Sequence, residues 1–240
     1  MPTLNKIDDQ GNYLEFPGVT IVADAGQTNS KLWQEIYFFL KNTPILCDYF
    51  SPLPSQSYHM TTCNLYTKEE TPEDWVSFIS KKMTFFQKIN KRLSELKLAP
   101  VVSIETIDYF SELQLILSVP PEQKTIIQQI AKEFGLENKV PGVFHITLAY
   151  GYREINDEQI FKEIKSKIVE LLKICQQYDK DITLSPPKLC FFRSMEQFIP
   201  WDGTANPFIA KSTPDLFSLF GYRNKTQKNE VPSPSVCPIM

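Results

Sequence analysis

No apolar run in this chain is long enough to cross a bilayer. The longest cluster lies around residues 36–40, far short of the roughly 20 residues a spanning helix needs. Residues 1–10 are polar and lack the apolar stretch of a secretory leader, so a soluble cytoplasmic protein is expected. Cysteine is sparse. Cys47, Cys63, Cys175, Cys190 and Cys237 are odd in number and show no C-x-x-C spacing, which reads as reduced thiols rather than a disulfide framework or a zinc site. An excess of positive charge is missing too. A formal net charge of −3 argues against duplex DNA as a partner, but leaves room for a small phosphate pocket. Histidine is scarcest of all, with two residues in 240.

What is present is an ordinary globular composition, 42% apolar and 22% charged, in a chain long enough to bury a sizeable core. Phe16-Pro17-Gly18 reads as a turn before a β-branched strand, Val19-Thr20-Ile21-Val22-Ala23. Ser30 is a candidate cap for a helix over 31–41, with Leu32, Ile36, Phe39 and Leu40 on one stripe. The strongest start signal is Thr71-Pro72-Glu73-Asp74, predicting a helix through Trp75, Ile79, Phe86, Ile89, Leu93 and Leu96 with Thr71 as its N-cap. Strands follow at 101–106 and 113–119, then a helix closing at Gly135. Asn156 is a candidate cap for a long helix over 157–178, and strands at 182–184 and 188–193 complete the domain. The order strand, helix, strand, helix, strand thus occurs twice.

Each of those halves holds one histidine, in the same setting. Tyr58-His59-Met60-Thr61 and Phe144-His145-Ile146-Thr147 both read aromatic, His, apolar, Thr. In a strand, residues i and i+2 share a face, so each imidazole projects beside a threonine hydroxyl while the intervening side chain enters the core. If the halves are related by a pseudo-two-fold axis, their central strands meet and both His-Thr pairs line one cleft.

Two imidazoles and two hydroxyls suit phosphodiester cleavage. One neutral histidine takes a proton from water or a ribose hydroxyl, and a protonated one gives a proton to the leaving oxygen. The threonines donate to non-bridging phosphate oxygens and hold phosphorus between the rings. No metal or other cofactor is required. A lone strand histidine is more often a hydrogen-bonded structural residue, and it is the duplication that favours chemistry. Cys63 has the same parity as His59 and Thr61, which admits a Cys-His nucleophile, against the simpler reading of a small core thiol. Tyr58, Tyr150 and Tyr152 are candidates for stacking on a base, although parity turns Tyr58 and Tyr150 away from the histidines. Arg153, Lys188 and Arg193 are candidate phosphate contacts against a default of solvated surface charge.

The paired motifs His59-Met60-Thr61 and His145-Ile146-Thr147 resemble the 2H phosphoesterase superfamily, which includes the RNA ligase-like cyclic phosphodiesterases. The likeness in element order spans residues 16–202, and Phe16-Pro17-Gly18-Val19-Thr20 with Phe198-Ile199-Pro200 resembles a less characterised branch. The resemblance implies an α+β, bilobal fold of two antiparallel sheets flanked by helices, with pseudo-two-fold symmetry around a central cleft. It implies metal-independent phosphodiester hydrolysis, with His59 and His145 as acid and base in an order left open, and Thr61 and Thr147 on phosphate. Substrates of the superfamily are 2′,3′-cyclic phosphates, ADP-ribose cyclic phosphate, 2′-5′ oligoadenylates or the 3′ ends of short RNAs. The competing reading is a non-catalytic nucleotide or RNA-end binding module.

Composition changes near residue 223, after which Lys, Asn, Gln, Pro and Ser dominate. We therefore expect a phosphoesterase-like domain over 1–222 and a disordered tail over 223–240. The final Cys237-Pro238-Ile239-Met240 fits a CaaX pattern, which makes Cys237 a candidate for prenylation. A prenyltransferase and a membrane surface would then be partners, and cytoplasmic protein would be drawn reversibly to membrane. The tail as the main function, with the domain an adaptor, is a third reading.

Overall fold

The computed structural model describes residues 5–26, 29–71 and 73–209. The compact unit that carries the sheet runs Met1–Pro207. Its strands are β1 (Gly18–Asp24), β2 (Phe50–Pro52), β3 (His59–Thr67), β4 (Val101–Asp108), β5 (Glu112–Ser118), β6 (His145–Gly151), β7 (Ile182–Thr183), β8 (Lys188–Phe192) and β9 (Ile199–Pro200). The α-helices are α1 (Ser30–Lys41), α2 (Pro44–Cys47), α3 (Trp75–Lys81), α4 (Met83–Ser94), α5 (Pro121–Glu133) and α6 (Glu158–Cys175). The α+β class is as expected. Among the described residues, no helix is long and apolar enough to cross a membrane.

The expected pair of sheets is one continuous sheet, in the order β7-β4-β5-β6-β3-β1-β8-β9, with β2 added to β6. The two halves are joined where β3 meets β6 antiparallel at Met60 and Ile146. Exchanging β1 with β5, β3 with β6 and β4 with β8 turns the central run β4-β5-β6-β3-β1-β8 into its own reverse. This is a property of the connectivity, and separate lobes do not follow from it.

Helices cover the face opposite the histidines. Leu113, Leu115 and Leu117 of β5 join Ile146 and Leu148 of β6 in a core with Leu32 and Ile36 of α1 and Ile164, Ile168 and Leu171 of α6. Alternation along β5 is clean, its odd-numbered leucines buried and the residues between them partly exposed, as one buried and one open face require. Behind β1 and β3, Ile21, Thr62 and Cys63 face Leu93 of α4 and Ile127 and Ile130 of α5.

Three helix starts differ from the sequence reading. The helix predicted to run unbroken from Thr71 begins at Trp75, capped by Asp74, whose carboxylate accepts from the Ser77 amide. It is interrupted at Lys82, where α3 gives way to α4. The Thr71 hydroxyl instead donates back to the Thr67 carbonyl, and Pro72 lies outside the described residues. Ser30 is the first residue of α1 rather than its cap, which is Asn29 in a left-handed conformation. At α6 the cap is Asp157, not Asn156, with the Asp157 carboxylate receiving the amides of Gln159 and Ile160. Gly135 does close α5's terminus with a φ of +66°, as a left-handed cap requires.

Candidate active site

His59, Thr61, His145 and Thr147 all line one cavity of about 560 Å³. β3 and β6 supply them as neighbouring antiparallel strands. Because Met60 pairs with Ile146, one step along the same register sets His59 across from Thr147 and Thr61 across from His145. Side chains in such cross-strand positions have Cβ atoms roughly 5 Å apart. The sequence-separated motifs thus become a single four-residue centre, with Met60 and Ile146 fully buried beneath it.

The two imidazoles are anchored alike. Nδ1 of His59 lies 2.7 Å from the Ser57 carbonyl and Nδ1 of His145 lies 3.2 Å from the Val143 carbonyl. A carbonyl only accepts, so each Nδ1 carries hydrogen and each neutral ring keeps its lone pair on Nε2. Their surroundings differ. The His59 ring packs 3.9 Å from the Phe198 ring, centre to centre. Burial holds the His59 pKa down to about 4, against an opposing pull from the Ser57 carbonyl, and His145 lowers it further.

A β-bulge follows the threonine in both strands. Ile21 pairs with Cys63 and Val22 with Thr61, leaving Thr62 as the extra residue of β3. Leu113 pairs with Ala149 and Gln114 with Thr147, leaving Leu148 as the extra residue of β6. Each bulge reverses the alternation beyond it, with two consequences for the sequence reading. Cys63 is turned away from His59 and Thr61 into the helix-covered face, where burial raises its thiol pKa to about 11. That removes the Cys-His nucleophile. Tyr150, assigned by parity to the opposite face, instead lines the cavity beside Thr147, and so does Asn64 on β3.

A further part of the wall comes from β5 and the lead-in, and Lys139 lines the cavity as well. Glu112, opposite Tyr150, accepts from the Gln114 amide at 2.6 Å and lies 3.5 Å from both the Thr147 hydroxyl and the Lys6 ammonium. Lys6 in turn sits 5.0 Å from the Tyr150 ring centre and 5.7 Å from that of Phe16. The Thr147 hydroxyl also lies 3.5 Å from the Gln114 amide, so both contacts stand at the outer limit of a hydrogen bond. None of Lys6, Asn64, Glu112 and Gln114 stands out in the sequence. The polar alternation Glu112, Gln114 in β5 is their one visible signal.

Other candidates fall elsewhere. Tyr58 is fully buried against Trp33, and the Tyr152 hydroxyl donates to the Cys47 carbonyl. Arg153 packs on the Tyr152 ring, Lys188 acts electrostatically on Asp24, and Arg193 donates to the Pro207 carbonyl. None of these five lines the cavity. Among the described residues, no group of three or more His, Cys, Asp or Glu could hold a metal ion. Cys237 and all of residues 223–240 lie outside the described residues.

Comparison with known proteins meets this geometry at the first motif. Residues 6–106 match the family model 2H-phosphodiest, described as a domain of unknown function (DUF1868). That matched stretch, which takes in His59 and Thr61, is similar to the family. An uncharacterised protein, 127L, of Invertebrate iridescent virus 6 is 26% identical over 223 residues, covering 82% of this chain and 94% of the viral protein. Among solved structures, the conserved protein of unknown function ATU0111 from Agrobacterium tumefaciens aligns with a TM-score of 0.63 and 17% identity. It covers 84% of this chain and 92% of its own, and the likeness is one of fold. E. coli LigT gives a TM-score of 0.43 at 12% identity over 78% of this chain and 96% of its own.

Proposed function

We propose that this 2H-phosphodiesterase-like domain hydrolyses a nucleotide or RNA-type phosphodiester by two-histidine acid–base catalysis, without a metal. The observation that carries the reading is the pairing of both His-x-Thr motifs across the Met60–Ile146 bridge. Each imidazole there is fixed through Nδ1, leaving Nε2 to exchange protons.

The unequal surroundings of the rings suggest unequal roles. His59, with its pKa held near about 4 by burial, is neutral at pH 7 and is the base. Its Nε2 takes a proton from the attacking water as the water oxygen bonds to phosphorus. The bond from phosphorus to the leaving oxygen breaks, and His145 supplies that oxygen with a proton from Nε2. Exchange with solvent then restores both rings. Thr61 and Thr147 donate to the non-bridging oxygens, where charge builds in the transition state.

The test is hydrolysis in EDTA of a panel comprising 2′,3′-cyclic nucleotides, ADP-ribose cyclic phosphate, 2′-5′ oligoadenylate and a short 3′-uridylated RNA. His59→Ala and His145→Ala should each lower kcat about 10²- to 10⁴-fold while melting close to the parent. The profile of kcat/KM against pH should be bell-shaped, with an acid limb at about 4 where His59 gains its proton. Undiminished turnover in either variant, or a flat profile, sinks the assignment. Nucleotide binding with no turnover would point to a binding module instead.

A further inference from the structure

The wall that holds His145 carries a carboxylate the reaction does not use. Glu112 is enclosed, its side chain 11% exposed, whereas Glu69 and Glu70, which also line the cavity, are exposed. A carboxylate offers about four acceptor positions. Those of Glu112 are met closely once, by Gln114 at 2.6 Å, while Lys6 and Thr147 stand at 3.5 Å, the outer limit of a hydrogen bond. Acceptor capacity therefore remains, inside a cavity read as taking an anion. The Lys6 ammonium already offsets the charge of Glu112, so the remaining acceptor positions suit a neutral donor.

We propose, resting on the phosphodiesterase reading, that Glu112 determines specificity. In this assignment it accepts a hydrogen bond from a neutral donor on the organic group beside the phosphodiester, either a sugar hydroxyl or a base amine. Gln114 fixes the carboxylate, and Tyr150, directly opposite in the sheet, closes the subsite with its ring. The bound substrate then has one orientation, with its donor-bearing side toward Thr147 and Tyr150. The plainer role for Glu112, as the counter-ion that keeps Lys6 between Tyr150 and Phe16, makes a different prediction.

The experiment compares kcat/KM for substrates that differ by one donor, in the parent chain and in Glu112→Gln. Cytidine and pyrimidin-2-one riboside 2′,3′-cyclic phosphates differ only in the base amine, and each is paired with its 5′-deoxy counterpart to remove a sugar hydroxyl. A parallel arm measures binding of the matching 3′-monophosphates to His145→Ala by calorimetry, where no turnover is needed. The parent should favour the donor-bearing member of one pair by roughly tenfold or more, as a hydrogen bond to a charged group gives, and the pair concerned names the source. Glu112→Gln should shrink that ratio to about twofold. Equal rates for both members in the parent overturn the proposal, as does a variant that slows every substrate by the same factor. The second outcome is what the counter-ion role predicts. Donor preference in binding without any turnover would sink the phosphodiesterase reading and leave the subsite standing, and absence of both turnover and binding sinks both.

Discussion

His59 ties the chemistry of the site to the stability of the fold. Its pKa is about 4 in the folded chain, below its ordinary value of 6.5, because burial penalises the charged ring. Between those two values the unfolded chain binds a proton that the folded chain does not. Linkage then makes stability fall as pH drops through 6.5 toward about 4, with no further loss from this group below that. His59→Asn removes the titration, so its melting temperature should vary less over that window than the parent's. Parallel curves for the two proteins would show that His59 is not held neutral by its surroundings. A ligand phosphate beside the ring would oppose the shift, so bound anion should also flatten the parent's curve.

At the scale of the strand, the bulges separate what periodicity can read from what it cannot. His59, Thr61, His145 and Thr147 obey the alternation of two, and the sequence places them together without help. Past each threonine one extra residue enters, Thr62 in β3 and Leu148 in β6. From there a count by twos assigns the wrong face, so Cys63 looks like a neighbour of the histidines and Tyr150 looks like core. Nothing in the letters marks the insertion, because a bulge is defined by the partner strand. The same limit explains Glu112 and Lys6, which reach the cavity only through pairing and through the path of the lead-in. Helix caps failed for a more local reason. Asp74 and Asp157 each stand close to a threonine or asparagine of similar capping strength, and the carboxylate won in both cases. The bulge makes a direct prediction for Cys63. With its thiol on the helix-covered face, Cys63→Ala should keep kcat/KM within about twofold and cost about 1 kcal/mol of stability from the small space it leaves. Loss of turnover, or labelling of Cys63 by an alkylating reagent in the folded protein at neutral pH, would restore the nucleophile reading.

At the scale of the whole unit, a chain of aromatic rings links the sheet's packing to His59. Gly18 reads in the sequence as part of a turn, yet it is the first residue of β1, buried and paired to both Thr67 and Phe192. It is glycine because the Phe192 ring lies against it. A Cβ there would meet that ring at 2.2 Å, too close for either group to stay in place. Phe192 packs at 6.3 Å from Phe16 and 4.9 Å from Phe198, and Phe198 packs on His59. Displacing Phe192 therefore pushes along a line that ends at the imidazole. Gly18→Ala should cost about 1–3 kcal/mol by overpacking, read as a lower melting temperature, and should lower kcat/KM although Gly18 lies outside the cavity wall. Adding Phe192→Leu, which frees the space, should return most of the stability but only part of the activity, since the ring that supports Phe198 is then gone. A Gly18→Ala protein with the parent's melting temperature would show that Phe192 yields freely. It would also show that the packing of the sheet and the placement of His59 are independent.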